Sequence, residues 1–212
     1  MSTVSRPASV GGAAAVERGQ EQEPPPTVRA TVDHRPERQL SNTTPSFVVR
    51  AWVGLGANLG DAHQTLKQAV HEIAALPGTQ VAATSSLWKS APIDAQGPDF
   101  FNAVIALDTM LGPLALLQAL QTIEHHHGRL RPYVSAPRTL DLDLLLYGAQ
   151  TLQMPGLQVP HPRMHQRAFV LLPLHEVAPD IQIPGIGAVK SLIQTVQDQA
   201  LQRQGPLMEE TP

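Results

Sequence analysis

The segment Thr139-Leu-Asp-Leu-Asp-Leu-Leu-Leu-Tyr147 combines a leucine-rich pattern with the densest polar signal in the chain. Its leucine-rich pattern is typical of a largely buried strand and predicts a strand over residues 139–147. Because strand side chains alternate between two faces, Asp141 and Asp143 point the same way, about 7 Å apart along the strand. The residues expected to enter the core from the other face are Leu140, Leu142, Leu144 and Leu146.

A strand and a helix are predicted over residues 47–77. Residues 47–55 are rich in β-branched and aromatic side chains, and they run into a glycine-rich turn over residues 54–61. Asp61 can cap a helix that Pro77 ends. Its apolar positions recur at helical spacing and are Leu66, Ala69, Val70, Ile73 and Leu76.

Two more strands and a second helix complete the pattern. Residues 81–90 and 99–109 are strand-like, and residues 113–128 predict a helix that starts with proline. The order β-α-β-β-α-β predicts an α+β fold with a ferredoxin-like core, in which two helices pack on one face of an antiparallel sheet. A further helical stretch over residues 166–177 is expected on the other face as an added element, which gives three layers, α/β/α.

The composition narrows the classes of protein that fit. The chain has 212 residues, of which 42% are hydrophobic and 16% charged, and it contains no cysteine. This composition supports a sizeable core and excludes disulfides and thiolate metal sites. The formal net charge of −3 argues against a general nucleic-acid coat. Since no run of about 18 apolar residues occurs, we expect no membrane span and a cytoplasmic location.

Residues 1–46 differ in composition from the rest of the chain. They include one leucine, no isoleucine, no aromatic residue and the run Pro24-Pro25-Pro26. Such a segment buries too little apolar surface to offset its ordering entropy. It also lacks the apolar stretch of a secretory signal. We therefore expect a disordered tail over residues 1–46, one catalytic domain over residues 47–200 and a flexible tail over residues 201–212.

Asp141 and Asp143 are the first candidates for chemistry. Two neighbouring carboxylates repel each other, and burial increases that repulsion, so a divalent hard cation is a natural partner. Mg²⁺ fits best because it binds through few carboxylates together with phosphate oxygens. The alternative is a pair of solvated acids on an exposed sheet face, although Asp is disfavoured inside strands.

Arginines and an aromatic-amide pair are the next candidates. The arginines cluster around the acid pair, at positions 129, 131, 138, 163 and 167. Their fork-like donors suit a polyphosphate, and ordinary surface arginines are the alternative.

Phe100 and Asn102 share one strand face and suit a planar heteroaromatic ring, whereas Phe101 faces the core. Core packing is the alternative for Phe100 as well.

Other patterns do not support a site. The glycines over residues 54–60 lack the dinucleotide spacing, and no Gly-Lys-Ser/Thr triplet of a P-loop is present. The run of three histidines, 125–127, ends a helix and is suited to its last carbonyls. His161 remains of interest as a phosphate donor.

Together the motifs resemble the 6-hydroxymethyl-7,8-dihydropterin pyrophosphokinase family, which transfers pyrophosphate from ATP to a pterin alcohol in folate biosynthesis. The resemblance covers about residues 48–179, and its most specific motif is Pro137-Arg-Thr-Leu-Asp-Leu-Asp143. The other motifs, in chain order, are Gly54-Leu-Gly-Ala-Asn-Leu-Gly-Asp61, Ser85-Ser-Leu-Trp-Lys-Ser-Ala-Pro92, Pro98-Asp-Phe-Phe-Asn102, Ile123-Glu124 with Gly128-Arg129, and Val159-Pro-His161 with Arg167-Ala-Phe169.

The resemblance implies a role for each matching residue. Asp141 and Asp143 would bind two Mg²⁺ ions, Arg129 and Arg138 would stabilise the transferring group, and residues 54–61 would be mainly structural. The pterin would contact Ser90, Pro92, Ile93, Phe100, Asn102 and Phe169, with its ring between the two phenylalanines. ATP would contact Gln121, Glu124, Arg129, Arg138, His161 and Arg167. A monomer with small-molecule substrates, and with no nucleic-acid or membrane partner, is expected.

Two alternative functions remain open at this point. Another metal-dependent transferase with the same Asp-x-Asp pattern would release pyrophosphate or a nucleoside diphosphate instead of AMP. A ferredoxin-like RNA-binding module would need exposed aromatic residues on a basic sheet face. The two acids in the last strand disfavour the RNA-binding module.

Overall fold

A computed structural model of the chain describes residues 48–91, 97–128 and 139–208. The predicted disordered tail, residues 1–46, lies outside the described residues. Four of the predicted site residues also lie outside them, namely Pro92, Ile93, Arg129 and Arg138.

The described residues form ten strands and four α-helices. The strands are β1 (Val49–Ala57), β2 (Thr79–Thr84), β3 (Ser86–Ser90), β4 (Phe100–Thr109), β5 (Asp141–Tyr147), β6 (Leu152–Met154), β7 (Leu157–Val159), β8 (Gln182–Ile183), β9 (Gly187–Ala188) and β10 (Leu201–Pro206). The helices are α1 (Ala62–Ala74), α2 (Pro113–His126), α3 (Ala168–Val177) and α4 (Val189–Ile193). None of these helices is long and apolar enough to cross a membrane.

Strand β1 lies inside a six-stranded sheet whose pairings are antiparallel. The order across the sheet is β10-β3-β4-β1-β5, and β2 also pairs with β4. The predicted antiparallel sheet with accompanying helices is therefore confirmed. The single strand predicted over residues 81–90 is wrong, because it divides at Ser85 into β2 and β3. The Ser85 hydroxyl accepts the backbone N–H of Val104 at 3.0 Å, and this side-chain contact interrupts the regular ladder.

Helices α1 and α2 begin as the sequence predicts. The Asp61 side chain caps α1 by accepting the backbone N–H of Gln64 at 3.0 Å, and Pro113 lies at the first position of α2. Buried residues of both helices share one hydrophobic cluster with Ala51 and Val53 of β1. This cluster covers one face of the sheet.

A bulge in β5 changes which leucines face this cluster. Leu144 pairs with Val53 and Leu146 pairs with Trp52, so Leu145 is an extra residue on β5. Leu142 and Leu144 belong to the first cluster as predicted, but Leu145 and Leu146 belong to a second one. Leu146 is buried as predicted, but it joins the second cluster instead of the first, because the bulge reverses the alternation.

Helix α3 packs against the other face of the sheet. It contacts β4 and β3, and its buried Leu171 and Leu174 share the second cluster with Val104 and Leu145. The helix predicted over residues 166–177 is therefore confirmed, although it begins at Ala168, and Pro173 lies inside it.

The C-terminal segment differs from its prediction. Residues 201–206 form β10, which pairs with β3, so a flexible tail does not begin at residue 201. Glu176, near the end of α3, fixes this edge of the sheet. Its carboxylate accepts hydrogen bonds from the backbone N–H of Ser86 at 2.7 Å and from the guanidinium of Arg203 at 2.8 Å. The indole N–H of Trp88 also donates to it, at 3.3 Å.

We predict that Glu176→Ala lowers the free energy of unfolding by about 1–2 kcal/mol, because hydrogen bonds to a charged group are lost. Chemical denaturation followed by circular dichroism measures this value. Asp180→Ala is the matched control, since Asp180 is exposed and the described part of the chain gives it no hydrogen bond or ion pair. Equal stability of the two variants would show that Glu176 does not hold β3 and β10.

Candidate active site

Three strands bring the predicted site residues into one row across the sheet. Gly56 of β1 pairs with Asn102 of β4 on one side and with Asp141 of β5 on the other. Directly paired residues of an antiparallel sheet point to the same face. Two residues earlier on β1, Gly54 pairs with Asp143, so both acids share the face that carries Asn102. Both acids are partly exposed.

The Asn102 side chain has a fixed orientation within this row. It is buried, and its amide Nδ2 donates to the hydroxyl of Ser90 at 3.0 Å. A Cβ atom placed on Gly56 would lie 3.4 Å from the amide oxygen of Asn102, so this oxygen is directed towards Gly56.

Ser90 pairs with Phe100, which is partly buried. The prediction that Phe101 faces the core is confirmed, because it packs against the first cluster.

A third acid supports the strand that holds the pair. Glu124 of α2 is almost completely buried, and its carboxylate accepts the backbone N–H of Leu142 at 2.6 Å. Leu142 separates Asp141 from Asp143, so this charge-assisted bond fixes the backbone between the two acids. The sequence suggested an ATP contact for Glu124 and gave no sign of this bond.

His161 lies close to the acids in space. Its backbone N–H donates to the carbonyl of Leu145, the bulged residue, at 2.9 Å. Its ring Nδ1 accepts the backbone N–H of Arg163 at 3.3 Å, so the neutral ring carries its proton on Nε2. Burial lowers the pKa of His161, while Asp143 and Asp141 act to raise it. Arg167 and Arg163 act to lower it further.

Arg167 and Phe169 meet at the start of α3. The guanidinium carbon of Arg167 lies 5.4 Å from the centre of the Phe169 ring, within the range of a cation–π contact. Phe169 is partly buried against the second cluster. The predicted ATP residue Arg167 and the predicted pterin residue Phe169 are therefore direct neighbours.

A cavity of about 480 Å³ lies beside this row, between α2, β5 and the hairpin of β6 and β7. Four predicted site residues line it, namely Gln121, Glu124, Asp143 and His161. Hairpin residues also line it, among them Gln153, Met154 and Gln158. These three were not among the predicted site residues, although the Pro155-Gly156 dipeptide is a turn signal that could have indicated a hairpin.

The acid pair fits a magnesium ion. No group of three or more metal-binding side chains occurs within residues 48–91, 97–128 and 139–208. A closed zinc site would need about four protein ligands, whereas Mg²⁺ keeps several waters and binds through one or two carboxylates plus phosphate. Two carboxylates on one partly exposed face therefore suit Mg²⁺ bound together with a nucleotide.

Comparison with known proteins identifies the family. The model of the 7,8-dihydro-6-hydroxymethylpterin-pyrophosphokinase family matches residues 52–179. The chain belongs to this family. The matched range includes every candidate residue described above, from Gly54 to Phe169. Membership in the family makes the chain a pyrophosphokinase, as the sequence predicted.

Two curated relatives carry the name 2-amino-4-hydroxy-6-hydroxymethyldihydropteridine pyrophosphokinase. The protein of Pseudomonas aeruginosa is 48% identical over 139 residues, which are 65% of this chain and 86% of the relative. That of Haemophilus influenzae is 39% identical over 160 residues, or 75% of this chain and all of the relative.

Solved structures share the fold. A crystal structure of the Plasmodium falciparum HPPK-DHPS protein superposes with a TM-score of 0.61 at 15% identity. The match covers 74% of this chain and 46% of that one, so this chain spans less than half of the solved protein. At this identity the likeness concerns the fold alone.

We predict that Glu124→Ala lowers the free energy of unfolding by about 2–3 kcal/mol, because the buried N–H of Leu142 loses its acceptor. Glu124→Gln keeps an acceptor oxygen and should cost less. Gln118→Ala is the control, since Gln118 lies on the same helix and is exposed. Denaturation curves for the three variants test this ranking, and equal values for Ala and Gln at position 124 would contradict it.

Proposed function

We propose that the protein transfers pyrophosphate from ATP to the hydroxymethyl group of 6-hydroxymethyl-7,8-dihydropterin, releases AMP and serves folate biosynthesis. One observation carries the proposal. Asp143 lines the cavity, while its neighbour Asp141 ends the row that contains Asn102 and Gly56. A nucleotide in the cavity and a planar substrate on the row would therefore meet at the acid pair.

Asp141 and Asp143 would hold two Mg²⁺ ions. Such ions neutralise the charge of the phosphates and lower the pKa of a coordinated alcohol. The two carboxylates fix the meeting point of the substrates, and Glu124 keeps the backbone between them in place. No side chain is needed as a general base, so positioning and charge are the protein's main contributions.

The pterin would lie on the row and contact Asn102. The bond from the Asn102 amide nitrogen to Ser90 orients the amide so that its oxygen lies on the Gly56 side, where it would accept an N–H of the pterin edge. Phe100 and Phe169 would stack on the two faces of the ring. Pro92 and Ile93 complete the proposed pterin contacts and lie outside the described residues.

ATP would occupy the cavity and extend towards the acids. Gln121 and Glu124 line the cavity from α2, and the Nε2–H of His161 is suited to donate to a phosphate oxygen. Arg167 would add a positive charge to the phosphate region. The same role is proposed for Arg129 and Arg138, which lie outside the described residues and would stabilise the transferring group.

We extend the proposal to the fold, the cellular location, the oligomeric state and the partners of the protein. A ferredoxin-like core in three layers is supported by the strand order β3-β4-β1-β5 and by a hydrophobic cluster on each face. We also propose a cytoplasmic monomer that acts on small molecules and has no nucleic-acid or membrane partner. The net charge of −3 supports the absence of a nucleic-acid partner.

The function predicts AMP formation that depends on both substrates. Purified protein is incubated with ATP, Mg²⁺ and 6-hydroxymethyl-7,8-dihydropterin, and the nucleotides are separated by chromatography. We expect AMP only when the pterin is present. ADP in place of AMP, or no pterin-dependent product, would refute the proposal.

The acid pair predicts a selective loss of turnover. Asp143→Asn should lower kcat by about 10²–10³-fold, the range for loss of one electrostatic stabiliser, with the fold intact by circular dichroism. The matched control is Asp108→Asn on β4, which breaks the exposed ion pair with Arg50 at 2.6 Å, far along β4 from Asn102. It should leave kcat unchanged and cost at most about 1 kcal/mol of stability. Equal losses of kcat in both variants would contradict the assigned role.

A further inference from the structure

Two glycines of β1 lie opposite the two acids. Gly54 pairs with Asp143 and Gly56 with Asp141, and neither glycine has a positive φ angle. Their backbone conformation is therefore open to other residues. Glycine inside a strand also costs stability and often marks a place where another group approaches closely.

The space above Gly54 is filled by the protein itself. A Cβ atom at this position would lie 3.4 Å from two methyl carbons of Leu145. The side chain of the bulged residue thus packs over Gly54. These are ordinary contacts, so a methyl group also fits at the buried Gly54, but the Leu145 side chain already occupies the space above it.

Nothing comparable covers Gly56 within the described residues. A Cβ atom there would meet only the amide oxygen of Asn102 at 3.4 Å and the Cβ of Asp141 at 4.0 Å. Both distances are ordinary van der Waals contacts, so the protein has room for a methyl group. The space above Gly56 is nonetheless left open between a hydrogen-bonding amide and a proposed metal-binding carboxylate.

We infer that Gly56 determines pterin binding by keeping the strip of sheet between Asn102 and Asp141 free of side chains. Neighbouring strands are about 4.8 Å apart, so Asn102 and Asp141 are separated by about 10 Å across Gly56. A flat bicyclic ring stacked between Phe100 and Phe169 can set its edge against the bare backbone beside Asn102 and extend its hydroxymethyl group towards Asp141. A methyl group on Gly56 would lift this ring from the sheet. The inference rests on the proposed function.

Calorimetric titrations of the full chain test this role through the variant Gly56→Ala. The wild type and the variant are titrated with 6-hydroxymethyl-7,8-dihydropterin in the presence of Mg²⁺ and a non-hydrolysable ATP analogue, and separately with the analogue alone. We expect the Kd for the pterin to rise at least about tenfold, the scale of one misplaced methyl group, while the Kd for the analogue changes less than about twofold. Gly54→Ala is the matched control and should change the pterin Kd less than about twofold.

The outcomes separate the inference from the proposed function. A wild-type protein that does not bind the pterin refutes the proposed function and the inference with it. A wild-type protein that binds the pterin, with unchanged binding in Gly56→Ala, refutes the inference alone. A Gly56→Ala protein that does not fold also refutes it, because the inference requires that the empty protein accommodates the methyl group.

Discussion

The double pairing of β1, with β4 on one side and β5 on the other, determines which residues meet at the site. It places Asn102, Gly56 and Asp141 in one row although they come from three separate strands. A shift of one residue in either pairing would turn a strand's side chains to the opposite face. The acids or the amide would then point into the hydrophobic core. The alternation of apolar residues along β1 opposes such a shift, since Ala51, Val53 and Leu55 are all buried.

The acid pair also depends on how the edge of the sheet is completed. β5 is the last strand in the order, so some of its backbone N–H groups have no neighbouring strand. The buried carboxylate of Glu124 accepts one of them, from Leu142, and the backbone N–H of His161 donates to the carbonyl of Leu145. Helix α2 and the segment after β7 thus replace a missing strand. Both replacements bring polar residues to the border of the cavity, so edge protection and site construction use the same contacts.

Local patterns predicted much of this architecture. The cap at Asp61, the proline at the start of α2, the strand of alternating Leu and Asp, and the shared face of Phe100 and Asn102 all follow from short-range rules. The family motifs also selected residues that the structure brings to the cavity or the row, such as His161 and Asp143. These signals depend on periodicity and on residue types that are close in the sequence.

Other features depend on contacts between distant residues, which no local pattern contains. The bulge at Leu145 follows from pairing with β1, and the division at Ser85 follows from its bond to Val104. β10 forms because β3 offers an open edge and Glu176 binds Arg203, a residue that the sequence analysis left in a flexible tail. The significance of Gly56 emerges only when its two partners are known, since glycine spacing alone indicated a structural turn.

If metal-bound nucleotide and the row from Asn102 to Asp141 form one site, as proposed, paramagnetic NMR can detect it. Mn²⁺ added with ATP to ¹⁵N-labelled protein broadens resonances close to the ion. We expect strong broadening of the backbone amides of Gly54 and Gly56 and of the Asn102 side-chain amide, and none for the β8 and β9 hairpin. Sharp Asn102 and Gly56 signals alongside broadening elsewhere would contradict it.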